Sequence, residues 1–301
     1  MAVVGSSNTD MILRVPKLPG PGETILGGSF STAAGGKGAN QAVAAARAGG
    51  RVSFIARVGP DSLGDEALQG FRREGIDVRH VSRDRAQPSG VALILVGGDG
   101  ENSIGVASGA NMRLSPRDIE GARAAISAAR VVLLQLEIPL AAVLAAAETA
   151  SRAGAEVILN PAPAQPLPDS LLRKVTLLTP NETEASLLTG IRVDSVPSAE
   201  RAAKALQRRG ARGVIVTLGA KGALVTCGGA TYQVPGFRVS AVDTTAAGDV
   251  FNGALAVRLS EGAPLADCVR FAHAAAALSV TRLGAQPSIP SRRQIEALLR
   301  K

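Results

Sequence analysis

A loop of small residues running into a helix can bind an anion, and Val242-Asp243-Thr244-Thr245-Ala246-Ala247-Gly248-Asp249 has that form. Small side chains at 246–248 let the backbone turn tightly and point its N–H groups outward. The helix expected behind it, Asp249–Ser260, adds the positive end of its dipole, a combination suited to phosphoryl oxygens. Asp249 falls in the first turn. An aspartate there either caps the helix or, beside an anion hole, takes the proton from an attacking hydroxyl.

Four further segments carry polar groups at suggestive spacings. In Ala34-Gly35-Gly36-Lys37-Gly38-Ala39-Asn40-Gln41 the glycines permit close backbone approach, and Lys37 and Asn40 share one side at i, i+3. This is a glycine turn before a helix or a site for a hydroxylated ligand. Gly5-Ser6-Ser7-Asn8-Thr9-Asp10 follows the first strand, where open α/β sheets bind ligands. Asp10 could accept from vicinal hydroxyls or form an Asx turn. In Thr179-Pro180-Asn181-Glu182-Thr183-Glu184, Asn181 and Glu184 read as a capping pair or as holders of hydrated magnesium. Thr217-Leu218-Gly219-Ala220-Lys221-Gly222 could receive a nucleotide or only turn the chain, and His273 sits in an Ala-rich helix where a lone histidine is usually packed.

Several chemistries are excluded. No G-x-x-x-x-G-K-[ST] loop occurs, and Gln41 stands where a dinucleotide fingerprint needs its third glycine. His80 and His273 are too few for a histidine metal site or a Ser-His-Asp hydrolase, so any base is a carboxylate. Cys227 and Cys268 supply neither a disulfide framework nor a thiolate site. With 33 Lys+Arg against 25 Asp+Glu the net charge is +8, but aromatics are 2% and the arginines are dispersed, which argues against nucleic acid. No apolar run is long enough to span a membrane, and the N-terminus does not read as a secretory signal. The expected compartment is the cytoplasm.

The elements that must position these residues alternate. Strand signals occur at Ala2–Val4, Val52–Ile55, Val131–Leu136, Val157–Leu159, Leu177–Leu178 and Val214–Leu218. Helical spacing occurs at Ala39–Ala48, Asp65–Glu74, Pro116–Ala128, Leu140–Arg152, Glu184–Leu188, Ala199–Arg209 and Asp249–Ser260. Strands separated by helices predict an α/β fold with a mostly parallel sheet covered on both faces. Two stretches break the rhythm. Met11–Ala33 has short extended pieces (Met11–Val15, Thr24–Leu26 and Phe30–Ala33) between prolines and glycines, and Gly90–Ala107 reads as a hairpin. They predict a small, mainly antiparallel sheet that serves as a lid, an oligomer surface or both.

Taken in order, these motifs resemble the ribokinase family over nearly the whole chain. The carriers are Gly-Gly-Lys-Gly-Ala-Asn-Gln-Ala, the Asp243–Asp249 motif, Asn160-Pro-Ala-Pro-Ala and Phe271-Ala-His-Ala-Ala-Ala-Ala277. The resemblance implies a single three-layer α/β/α kinase domain over residues 1–301, with a lid and dimer clasp at about 8–33 and 87–108. It implies ATP-dependent phosphorylation of D-ribose at O5, with 2-deoxyribose or another sugar as the alternative acceptor and a non-catalytic sugar-binding protein as the rival class. Asn8, Asp10, Gly36, Lys37, Asn40 and Glu137 would hold the sugar. Asp249 would be the base, and the amides of Ala246, Ala247 and Gly248 the anion hole. ATP would lie against Asn181, Thr217, Leu218, Gly219, Ala220, Lys221, Gly222, Gly248 and Asp249, with His273 near its adenosine end. Glu184, with Asn181, would position Mg2+ through water. An activating K+ would lie among Asp243, Thr245, Ser279, Arg282, Gly284 and Ser288, several through backbone carbonyls. Thr245 and Ser279 depart from the residues common at those positions, which backbone ligation tolerates. A homodimer through the lid sheet is the implied assembly.

Overall fold

Val3, Leu133, Ile158 and Ile215 pack to one side of the central sheet; their neighbours Val4, Leu134, Leu159 and Val216 pack to the other. Such two-residue alternation between two apolar sides is what a strand covered on both faces requires. In the computed structural model, which describes residues 1–300, the strands are β1 (Ala2–Val4), β2 (Asn8–Arg14), β3 (Ser29–Gly35), β4 (Ser53–Val58), β5 (Asp77–Arg83), β6 (Gly90–Val96) and β7 (Asn102–Ala107). They continue as β8 (Val131–Leu134), β9 (Glu156–Leu159), β10 (Leu177–Leu178), β11 (Gly213–Thr217), β12 (Ala223–Cys227) and β13 (Ala230–Val234).

The large sheet runs β13-β12-β11-β10-β9-β8-β1-β4-β5. Pairing is parallel from β11 to β5, and antiparallel at β11/β12 and β12/β13. The chain runs from β1 outward to β4 and β5, then returns to place β8 on the other side of β1. This reversal opens a crevice at the carboxyl ends of β1 and β8, the usual ligand position in such sheets. Helices Lys37–Arg47, Ala247–Ser260 and Leu265–Ser279 cover the face with Val3 and Leu133; helices Leu140–Arg152 and Val196–Arg208 cover the other. Helix Ala247–Ser260 is buried from Asp249 through Val257, because it is sandwiched between its two neighbours as well as the sheet.

The observed α/β/α layering agrees with the sequence reading, with local differences. β5 and the β12–β13 hairpin were not foreseen. The hairpin turns on Gly228 and Gly229, both at positive φ, the conformation a tight two-residue turn needs. The helix expected over Pro116–Ala128 is two short ones, Pro116–Gly121 and Arg123–Ser127, and the strand expected to reach Leu136 stops at Leu134. The piece expected at Thr24–Leu26 forms no strand.

The small sheet has the order β3-β2-β6-β7. Its outer pairs are antiparallel, but the central pair, β2 with β6, is parallel because both strands run outward from the large sheet. Asp10 lies opposite Ala33 and Ala92, so it shares a face with Ile12, Ile94, Ile104 and Val106. The other face carries Met11, Leu13, Phe30 and Leu93. Phe30 is 64% and Ile104 57% exposed, so both faces present apolar surface.

Candidate active site

The helix that begins at Ala247 is entered through Ala246, whose φ of 60° and ψ of 10° place a non-glycine residue in the left-handed region. No side chain caps this end. The Ala247 N–H donates to Thr244 C=O at 3.2 Å, while no described residue accepts from the N–H groups of Ala246, Gly248 or Asp249. Of the amides expected to form the anion hole, that of 247 is thus engaged in the Thr244 turn, while those of 246 and 248, with 249 beside them, are open. Asn252, one turn on, donates to Gly248 C=O at 2.8 Å and accepts from Thr179 Oγ1 at 2.7 Å. These bonds tie the first turn to the end of β10.

Asp249 is 6% exposed. Its Oδ2 accepts from Asn40 Nδ2 at 3.0 Å and its Oδ1 from Gln41 Nε2 at 2.9 Å. Burial raises its pKa above the ordinary carboxylate range, against the pull of Lys37 and the two amides. Lys37 opens helix Lys37–Arg47. Burial works against its charge, but Asp249, Glu137, Glu184 and Asp10 hold the ammonium firmly protonated. Gly36, just before it, has φ 86°, and a Cβ there would stand 2.7 Å from Asn8 N. Only glycine permits that approach.

The remaining sugar candidates converge on the same end. Glu137, past β8, accepts from Lys37 N–H at 2.9 Å and from Ser6 Oγ at 2.5 Å, so it caps the start of the helix. Asp10 is raised to about 6 by burial, then by Glu137 and Asp249, with Lys37 opposing. Asn8 Oδ1 accepts from Asn111 Nδ2 at 2.7 Å, which leaves the Asn8 amide N–H groups as its donors toward the cleft.

Beyond Asp249 a polar cleft of about 170 Å3 is lined by Lys37, Asn181, Glu184, Thr217 and the 246–249 turn. Both readings of Asn181 and Glu184 meet here. Asn181 Oδ1 accepts from Glu184 N–H at 2.7 Å and Glu184 Oε2 from Asn181 N–H at 2.9 Å, a full capping box. One carboxylate oxygen and the Asn181 amide group stay outside that exchange. Thr217 pairs with Asn181 across a parallel bridge. Beyond it Gly219–Lys221 forms a single turn, with Leu218 buried and Ala220 and Lys221 exposed. Leu218 can therefore offer only its backbone. Gly222, at φ 96°, packs against the Val234 carbonyl. His273 is not part of this cleft. It is buried against Phe251, ring centroids 5.0 Å apart, its Nε2 has no partner, and burial lowers its pKa to about 4.

The proposed cation residues are brought together as two loops. Asp243 accepts from Thr245 N–H at 2.9 Å and Gly284 N–H at 2.8 Å. Burial acts against its ionisation, but these bonds hold its carboxyl below the usual range. Ser279 and Ser288 donate their hydroxyls to the nearby carbonyls of Ala276 and Ala285, and the Arg282 side chain is exposed. Among the described residues no group of three His, Cys, Asp or Glu side chains could hold a metal. A cation here would depend on main-chain carbonyls with Asp243 as the nearby charge. That fits a weakly hydrated monovalent ion better than a divalent one.

Sequence reasoning missed Gln41 as a partner of Asp249, Gln135 and Asn111 behind the site, and Thr179 and Asn252 on the cleft wall. Asn252 alone had a signal, lying at i+3 from Asp249 on one helix face.

N–H donors in a turn beside a buried carboxylate, at the carboxyl edge of a parallel sheet, form an arrangement able to move a phosphoryl group onto a hydroxyl. The family description "pfkB family carbohydrate kinase" matches residues 1–292. The chain belongs to that family. It is 47% identical over 294 residues to the ribokinase of Haemophilus influenzae, covering 98% of this chain and 96% of that protein. It is 40% identical over 300 residues to the deoxyribokinase of Salmonella typhi, covering 99% and 98%. Its fold matches the structure of Arabidopsis thaliana ribokinase complexed with ribose and ATP at a TM-score of 0.93 and 37% identity, covering 100% and 98%.

Proposed function

We propose that this chain transfers the γ-phosphoryl group of ATP to O5 of D-ribose, giving ribose 5-phosphate and ADP. The observation that carries the reading is Asp249, buried and hydrogen-bonded beside the N–H donors of 246, 248 and 249. Asn8, Asp10, Lys37, Asn40 and Glu137 bind the sugar and orient O5 towards Asp249. The Asp249 carboxylate takes the O5 proton as the oxygen attacks the γ-phosphorus. The new O–P bond forms as the bond to the β-phosphate oxygen breaks, and the turn amides with Lys37 hold the transferring oxygens. Burial raises the base's pKa, which improves it as a proton acceptor, while the paired amides oppose that rise.

The nucleotide lies along Asn181, Thr217 and the 219–222 turn. Its adenosine end approaches the helix of His273, whose ring serves as packing surface. Glu184 and Asn181 are the groups that would hold the water shell of Mg2+, which neutralises phosphate charge when bound. Asp243 and the carbonyls of the 279–288 loops would hold K+, steadying the 243–249 turn. The small sheet, about 8–33 and 87–108, is read as lid and dimer clasp. Among the described residues no helix is long and apolar enough to cross a membrane, and both cysteines are free. Free thiols suit the reducing cytoplasm, the proposed location.

The Salmonella relative makes 2-deoxyribose the second acceptor to test. In an ADP-coupled assay over a sugar panel, with and without K+, ribose should give the highest kcat/KM; a higher value for 2-deoxyribose would reassign the acceptor. Asp249→Asn should lower kcat by about 10²–10⁴-fold. A change under tenfold would remove the base assignment.

A further inference from the structure

Behind Asp249 lies a chain of three side-chain amides, Gln41, Gln135 and Asn160, of which Asn160 also lines the cleft wall. Gln41 and Gln135 are fully buried and Asn160 nearly so. Gln41 Nε2 donates to Asp249 Oδ1 at 2.9 Å and to Asn160 Oδ1 at 3.0 Å, which uses both of its hydrogens. Gln41 Oε1 accepts from Gln135 Nε2 at 2.6 Å. The far end of the chain is a group of fixed polarity: Asn160 Nδ2 donates to the Thr179 carbonyl, which can only accept.

That polarity propagates. Because Thr179 C=O accepts, Asn160 must face it with nitrogen, and so presents oxygen to Gln41. Gln41 must then present nitrogen to Asn160 and, with the same nitrogen, to Asp249. Turning Gln41 over would set its oxygen against the oxygens of Asp249 and Asn160, leaving buried acceptors without a donor; Gln135, whose own Oε1 has no partner, can meet either orientation and adds no constraint. The amide orientation at the base is thus dictated from the end of β10.

We propose that Gln41 is a positioning residue for the phosphoryl transfer: its orientation set by Asn160, it is an obligate donor that keeps the Asp249 carboxylate aimed and in its proton-accepting form. The proposal rests on the reading of Asp249 as the base. The charged groups around Asp249 are Lys37 from the helix start, Asp10 from β2, Glu137 after β8 and Glu184 from helix Glu182–Thr189. Three carboxylates against one ammonium, in a buried site, favour protonation of Asp249. Donors to the ionised form oppose it. Asn40 is one donor but also a sugar candidate; Gln41 lies outside the cleft and is free to serve the base alone.

The test is the pH profile of kcat/KM for the full chain, measured on wild type, Gln41→Met and Gln41→Glu, with thermal melts to establish folding. Gln41→Met keeps the length and removes the donors. The acid limb should rise by about one pH unit, so that activity at pH 6 falls about tenfold further than activity at pH 8.5. Gln41→Glu retains an acceptor for Gln135 and sets a second carboxylate against Asp249, so its limb should rise further. An acid limb that stays at the wild-type position in either folded variant, with a loss uniform across pH, overturns the proposal. So does failure of both variants to fold, which would make the role structural. Asp249→Asn is the separating control: if it stays active, the base reading fails whatever Gln41 does.

Discussion

Asp10 shares the sugar end of the cleft with Glu137, Asp249 and the Lys37 ammonium. Its folded value is about 6, raised first by burial and then by Glu137 and Asp249, against about 3.9 in an unfolded chain. Between those values the folded chain binds the proton more tightly. Asp10 therefore favours the fold below about pH 4 and costs stability as pH rises through 6. Asp10→Asn should raise the melting temperature at pH 7.5, with the gain shrinking towards pH 4, while weakening ribose binding at both. In the wild type, ribose affinity measured by calorimetry should fall as pH drops below 6, because a protonated Asp10 loses acceptor capacity. A flat affinity between pH 5 and 8 would remove Asp10 from the sugar site. The glycine at 35 belongs to the same account. A Cβ there would lie 2.3 Å from Asp10 Oδ1, so the carboxylate rests directly on backbone.

The first turn of helix Ala247–Ser260 is the element on which the chemistry depends, and it is entered at a conformational cost. A non-glycine residue in the left-handed region costs about 1–2 kcal/mol, and Ala246 is the one such residue described. Strain of this kind persists where surrounding structure over-determines it, here through the Thr244 turn, the Asn252 bond to Gly248 and the Asp243 bonds to Thr245 and Gly284. Ala246→Gly should relieve the strain at some entropic cost in the unfolded chain. Urea unfolding should show a net gain of about 0.5 kcal/mol, and kcat should drop several-fold because the turn amides are held less firmly. A variant that is both less stable and fully active would mean that Ala246 is neither strained nor used.

At the scale of the whole molecule, the small sheet stands out for the apolar surface it exposes. Leu13, Phe30 and Leu93 are exposed on one face and Ile104 and Val106 on the other, on strands that carry Asp10 into the site. Exposed apolar surface on both faces is unusual for a solitary lid. Sedimentation velocity should report a dimer, and Leu93→Asp with Ile104→Asp, one on each face, should yield a monomer with weakened ribose binding. A wild-type monomer at micromolar concentration would remove the clasp and leave the lid. The charge of +8 finds no single site. Many arginines are taken up in ion pairs such as Arg57 with Asp84 and Asp118, or Arg292 with Glu296.

Several parts of this protein were legible in the sequence because they are local. The alternating strand periodicity, the glycines before Lys37 and the small-residue turn before Asp249 depend on neighbours a few positions apart, and residue types there constrain backbone and exposure directly. The capping box at Asn181 and Glu184 is of the same kind. Other parts exist only because the sheet orders its strands β8-β1-β4 and β10-β9-β8. Gln41 meets Asp249 across 208 positions and Asn160 across 119, and Asn111 reaches Asn8 across 103. Side-chain periodicity records which face of a strand is buried but not which strands become neighbours, so no pattern along the chain announces these contacts. The engagement of the 247 amide likewise depends on the φ of one alanine and the reach of the Thr244 carbonyl. The sequence by itself thus determined the fold class and the chemical groups available. The tertiary structure decided which of those groups face one another, because long-range pairing is set by packing of the whole chain.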